Sequence, residues 1–275
     1  MFIFKPLHLF TALIALSLFL TLPSLSTAAT SLLPFSPTVQ TAFDKLTTSA
    51  DSASAYQLKK QYDSLLSAQQ QEDAWEGKIT DSHYRNEEAL VAVRQRIKQL
   101  NAEKLAQLAA DVKQTKERYQ PLFELYASLR KQQEAAKLLQ SKELNAVMKA
   151  QLEQTKQAVQ LAKLDIKNKS EAYSKLKAAT VLKAKQTRAV LETASSQRIK
   201  IRSAKSSISS SRKLITAEGK LLTQAVKKGD AAAASRSFAK LLTLQQSILD
   251  KKQAIYSSEE QIAAIITKAN ALLAS

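Results

Sequence analysis

The chain contains no cysteine, so disulfides, thiolate metal sites, cysteine nucleophiles and lipid attachment through a thiol are ruled out. Glycine is almost as scarce: Gly77, Gly219 and Gly229 are the only three, which excludes a glycine-rich phosphate loop. Neither glycine nor proline interrupts the stretch between Pro121 and Gly219. Histidine occurs twice, as His8 and His83, so no site can be built on a histidine cluster beyond the first residues of the chain. Aromatic rings thin out after Tyr126, where only Tyr173, Phe238 and Tyr256 follow. The carboxylate pairs Glu87-Glu88 and Glu259-Glu260 are sequence neighbours, and neighbours on a helix diverge rather than converge on one site. Together these absences argue against an enzyme and imply neither cofactor nor metal. His83 reads as a solvated or capping residue near a helix start, and Trp75 as core packing rather than the wall of a ligand groove.

What is present begins with an apolar leader. Lys5 precedes a run from Leu7 to Leu22 broken only by His8, Thr11, Ser17 and Thr21, and Pro23 and small residues follow up to Ala29. One positive charge, an apolar span of this length and small residues before a cut site describe a secretory signal over residues 1–29, cleaved after Ala28 or Ala29. The span is shorter than the ~20 apolar residues of a membrane helix. The expected location is therefore secreted and extracellular.

After the leader, Ala, Leu, Lys, Gln and Ser dominate, and all but Ser are good helix formers. No run alternates with period two over a strand's length, so the fold class is all-α: an elongated antiparallel helical bundle or coiled coil, with spectrin-like three-helix bundles. The uneven rings suggest an N-terminal helical bundle over residues 30–130 and a basic C-terminal bundle or coiled coil over 131–275. Ser36-Pro37 reads as a helix start with proline at its first position. The Ser-, Thr- and Asp-rich segment 47–54 interrupts that first helix. Gly77 is expected to end the next, with Thr80 or Asp81 capping its successor, and Pro121 to kink or start another. Lys227-Lys228-Gly229-Asp230 places cations in a last turn, glycine at the left-handed cap and Asp at the next N-cap, ahead of a final helix from Ala231 to about Leu273.

A seven-residue row organises the second half: Leu152, Val159, Ile166, Tyr173, Thr180, Thr187, Ala194, Ile201, Ile208, Ile215 and Leu222. Such a repeat implies left-handed supercoiling. The row three residues on is mixed, with Ala162, Leu176, Val190 and Ala204 but also Lys169, Lys183 and Glu218. Polar Thr180 and Thr187 favour an antiparallel bundle with a break near Thr193–Ser196.

Charge carries the functional signal. With Lys5 removed the chain holds a net charge of +16, and residues 161–215 alone hold 14 basic against 3 acidic groups. Between Glu192 and Glu218 there is no acid. Arg198, Arg202, Lys205 and Arg212 fall within an arc of about 80° on a helix, at ~100° per residue, and Lys200 and Lys213 extend the cluster. A polyanion that displaced its counterions onto these six residues would bind in a salt-sensitive way. Lysine predominates, and as a mobile point charge it suits charge density rather than one chemical group. Nucleic acid is disfavoured because no aromatics interleave with the cations.

The segment Leu222–Leu242, centred on Lys227-Lys228-Gly229-Asp230, resembles the helix–Gly-Asp–helix hairpin of helical modules in surface-layer and other cell-wall-associated proteins of Gram-positive bacteria. The resemblance implies elongated three-helix bundles, of which basic ones hold anionic wall polymers. The expected partner is therefore an anionic cell-wall polymer docked on the basic stripe. The alternative is an envelope coiled-coil scaffold or chaperone-like protein-interaction module with no polyanion role, contacting other envelope proteins or self-associating.

Overall fold

A computed structural model describes residues 33–274. The leader and its cleavage point lie outside the described residues. The described chain is six helices joined by short turns: α1 (Pro37–Ser49), α2 (Ser52–Gln99), α3 (Ala102–Leu138), α4 (Lys142–Glu192), α5 (Ala194–Lys228) and α6 (Ala231–Ala274). No strand occurs among the described residues, so the all-α expectation holds. None of these helices is long and apolar enough to cross a membrane.

Two junctions are barely breaks. Between α2 and α3, Asn101 takes a left-handed conformation (φ 55°), and its side chain donates to Thr180 Oγ1 at 2.8 Å. Asparagine adopts that region at less cost than most residues. Between α4 and α5, Thr193 keeps helical angles, and its N–H reaches Val190 O in a tightened turn. The chain thus forms two long rods, 52–138 and 142–228, each about 130 Å in contour at ~1.5 Å per residue. They run antiparallel. Partners across the pair are separated by 140 positions for Arg212 and Glu72, 111 for Arg198 and Glu87, 79 for Asn101 and Thr180, and 46 for Tyr119 and Asp165. The separation shrinks steadily toward the turn at 139–141, so one register runs the whole length.

The third long helix, α6, is wedged between α2 of the first rod and α5 of the second. It follows the hairpin at Gly229 (φ 74°), where Asp230 accepts from Ala233 N–H at 2.8 Å, as the cation–Gly–Asp pattern predicts. Its buried positions recur at spacings of four and three, from Ala234, Phe238, Leu241, Gln245 and Ile248 through to Leu273. The buried stripe is widened by Ser237, Leu249 and Ser258, as a helix with neighbours on two sides requires. The helix runs parallel to α2, since their bonded partners keep a nearly constant offset: 173 for Asn86 and Glu259, 174 for Arg96 and Asn270. Beyond the end of α6 the rods meet directly, and α3 and α4 form a two-helix arm about 55 Å long at ~1.5 Å per residue.

The seven-residue row is the seam it was expected to be. Val159, Thr187, Ala194, Ile201, Ile208 and Leu222 are buried, and the remaining members are half-buried. The matching seam on α3 runs Leu105, Leu108, Val112, Thr115, Tyr119, Leu122, Tyr126, Leu129, Gln133 and Ala136, all buried or half-buried.

Several boundary expectations are corrected. Gly77 does not end a helix: it lies inside α2, its Cβ position open, and Thr80 and Asp81 are interior rather than capping. His83 is consequently mid-helix. Pro121 lies exposed within α3, which continues through it. Ser36 does precede α1 with proline at its first position, but its side chain makes no cap bond, whereas Asp51 caps α2 by accepting from Ala53 and Ser54 N–H. The division at residue 130 falls inside α3. Both apolar clusters draw on chain from either side of it: one joins Leu90, Val93 and Ile97 to Ile201, Ile255 and Ile262. The other joins Phe35, Phe43 and Leu58 to Leu222, Phe238 and Leu241. The rings of the first half do not fill a bundle of their own, because Phe35, Phe43 and Tyr62 close around Phe238 of α6.

Candidate functional site

The six cations singled out in the sequence do not share one environment. Arg198 donates to Glu87 Oε1 at 2.6 Å and Arg212 to Glu72 Oε1 at 2.7 Å, so both bridge α5 to α2 across the flank of α6. Lys205 lies close enough to Glu259 to help hold that carboxyl ionised. Lys200, Arg202 and Lys213 are exposed, and none has a carboxylate within 4.0 Å among the described residues. The arc of Arg198, Lys205 and Arg212 therefore faces the carboxylates of α2 and α6. A helical wheel of α5 alone cannot reveal this, because the neutralising residues are remote in sequence.

Those carboxylates belong to polar layers inside the three-helix section. On α6, Gln245, Lys252 and Glu259 recur every seven residues among otherwise apolar seam positions, and each is buried. Glu72 accepts from Gln245 Nε2 at 2.6 Å and from Arg212, and lies 3.2 Å from Lys252 Nζ. Lys252, only 2% exposed, also donates to Glu76 Oε2 at 2.5 Å and to Glu72 O at 3.2 Å. About two turns further along α6, Asn86 Nδ2 donates to Glu259 O and Oε2, both at 2.8 Å, and His83 Nδ1 lies 3.0 Å from Glu259 Oε1. Burial pushes both Glu72 and Glu259 up, but donors outweigh it. Arg212, Gln245 and Lys252 hold Glu72 below the ordinary glutamate range, and His83, Asn86 and Lys205 do the same for Glu259. His83 is thus the half-buried partner of a buried glutamate, a role visible only once α2 and α6 are side by side.

This arrangement fixes helix register rather than chemistry. Each donor is matched to an acceptor at one offset, and sliding α6 by a heptad would bury unpaired charges. Trp75 packs on Tyr256 with ring centroids 5.6 Å apart, as expected of a packing residue. No group of three or more His, Asp or Glu residues converges as a metal site among the described residues. The clefts between helices are shallow; one lies between α5 and α6 along Leu214, Leu221 and Leu244.

The arm differs from this section. Its seam carries a polar layer where Lys169 Nζ donates to Thr115 Oγ1 at 2.8 Å. One edge carries the cross-helix pair Arg118–Asp165 at 3.1 Å, shared with Tyr119 Oη. The same edge exposes Leu125, Leu139 and Leu144, with Val147 and Leu161 beside them. The other edge is lined with lysine and arginine.

Fold and site together define a class: an all-α, antiparallel coiled-coil protein in which a polar-locked three-helix section carries a two-helix arm. Compared with protein-family models, curated proteins and solved structures, the chain matches none of them.

Proposed function

We propose that the chain is a secreted, non-enzymatic binding protein of the bacterial cell envelope that docks on an anionic wall polymer. The observation that carries this reading is the charge left over after the fold has satisfied itself. Of the basic residues on α3, α4 and α5, only Lys113, Arg118, Lys156, Lys167, Lys169, Arg198 and Arg212 reach a carboxylate within 4.0 Å among the described residues. Cations held apart from acids on a stiff rod keep a strong local field and a displaceable counterion layer, which a polymer of anions exploits. Retention on purified bacterial walls, measured at low and at moderate salt, tests the reading. Retention is expected at low salt, to vanish at moderate salt, and to vanish when the anionic polymers are extracted from the walls. Absence of retention at low salt sinks it.

A second reading has its own support. Leu125, Leu139, Leu144, Val147 and Leu161 are exposed along one side of the arm, which suits a coiled-coil scaffold pairing with a second copy or another envelope protein. Concentration-dependent assembly that resists salt favours that reading over polymer docking.

A further inference from the structure

The seven-residue row that contains Arg198, Lys205 and Arg212 does not begin on α5. Lys142, Lys149, Lys156 and Lys163 of α4 occupy the same row. In the three-helix section that row faces Glu72, Glu87 and Glu259. In the arm it faces something else. The contacts of Thr180 with Asn101, Lys169 with Thr115 and Asp165 with Arg118 fix how α3 and α4 align. With that register the flanking rows meet across the seam, and Lys142 stands opposite Lys137, Lys149 opposite Arg130, and Lys163 opposite Lys116. All six are exposed, and none has an ion pair among the described residues. The nearest acids, Glu134 and Glu153, stand one row further out, and Glu153 is engaged with Lys156 at 3.4 Å. The same row of cations is neutralised where it serves the fold and opposed by further cations where it does not.

We propose that this edge of the arm, and not α5, is where a linear polyanion docks; the inference rests on the binding reading above. Three rungs of paired cations fall seven and then fourteen residues apart, about 10.5 and 21 Å at ~1.5 Å per residue, with Lys156 opposite Phe123 in the rung between. Like charges placed opposite each other destabilise the arm. A flexible chain of phosphates or carboxylates laid along the edge seats anions between the paired cations and removes that repulsion. The ligand class is a linear polymer of repeated anionic groups. Phe123 is the single ring along this edge, so nothing there stacks successive bases.

The test compares three full-length proteins. One carries Lys142→Glu, Lys149→Glu and Lys163→Glu, which turns each rung into an attractive pair and so keeps the arm folded. A second carries Lys200→Glu, Arg202→Glu and Lys213→Glu on α5, with the same change in net charge. Each is titrated with labelled long-chain inorganic polyphosphate, and with bacterial walls before and after extraction of their phosphate polymers. The native protein is expected to bind both probes, the arm variant to lose about a hundredfold in affinity, and the α5 variant to stay within about threefold of native. Circular dichroism should show the arm variant at least as helical and heat-stable as native. Native binding that the arm variant retains, or loses only as much as the α5 variant, overturns the site while leaving the binding reading intact. A native protein that binds neither probe overturns both. Tighter capture of single-stranded DNA than of polyphosphate overturns the ligand class.

Discussion

Glu72 and Glu76 sit one turn apart on α2 and both contact Lys252, yet their loss should differ sharply. Glu72 is 13% exposed and collects three side-chain donors, whereas Glu76 is 61% exposed and meets Lys252 from the solvent side. Replacing Glu72 by Ala removes the acceptor of buried Gln245 and an anion from buried Lys252, and is expected to cost about 3 kcal/mol or more, as breaking one side of a buried pair does. Glu76→Ala should cost under about 1 kcal/mol, the scale of an exposed pair. Denaturant titration of both variants checks the contrast, and equal costs would show that the layer is not a unit. Acid gives a second view of the same groups. Glu72 and Glu259 have folded pKa values below the ordinary one. A depressed carboxyl contributes stability that is fully present above its unfolded pKa, about 4.3, and is lost as pH falls through the folded value. The melting temperature should therefore hold between neutrality and about pH 5 and fall below about pH 4, with a shallower fall in Glu72→Gln. A decline already complete by pH 5 would assign the acid sensitivity to some other group.

At the level of helices, one substitution made twice should have opposite signs. Gly77 lies in the exposed interior of α2 with nothing near its Cβ position, so Gly77→Ala should stabilise by up to about 1 kcal/mol. Gly229 ends α5 at φ 74°, where a side chain is strained whatever the space, so Gly229→Ala should destabilise by about 1 kcal/mol. Thermal melts of the two variants settle the signs. The pair also shows what was legible in the sequence. Gly229 was read correctly because its neighbours, Lys227, Lys228 and Asp230, are all local cap chemistry. Gly77 was misread as a terminus because a glycine's cost of about 1 kcal/mol is small beside the packing of a 48-residue helix. The seven-residue row was legible, Thr180 and Thr187 included, since periodicity survives polar members. The destination of Arg198 and Arg212 was not: their partners lie 111 and 140 residues away, and only the wedge of α6 brings those faces together.

Across the whole molecule, stability is distributed unevenly along the rods. On α6, 15 residues are buried, while α3 buries only Thr115, Leu129 and Ala136 along 37 residues. A segment with so few buried contacts opens locally before the rest of the fold, so amides of α3 and of α4 up to about residue 180 should exchange hydrogen faster than those of α6. Salt sharpens the expectation, because the two regions carry opposite electrostatic balances. The three-helix section is held partly by attraction, through Arg198–Glu87 and Arg212–Glu72, and screening offers it no gain. The arm carries three opposed cation pairs, each destabilising by about 0.2–0.5 kcal/mol at low ionic strength. Their sum, about 1 kcal/mol, corresponds to a roughly fivefold change in an opening equilibrium. Raising salt from a few millimolar to physiological strength should therefore slow exchange in the arm by about fivefold while α6 exchanges no more slowly. Mass-spectrometric exchange on the intact protein at the two ionic strengths reads both regions at once. Uniform exchange along the chain would mean that arm and three-helix section open as one unit. Salt-insensitive exchange in the arm would mean that its cations are already neutralised in solution, leaving no repulsion for a bound polymer to relieve.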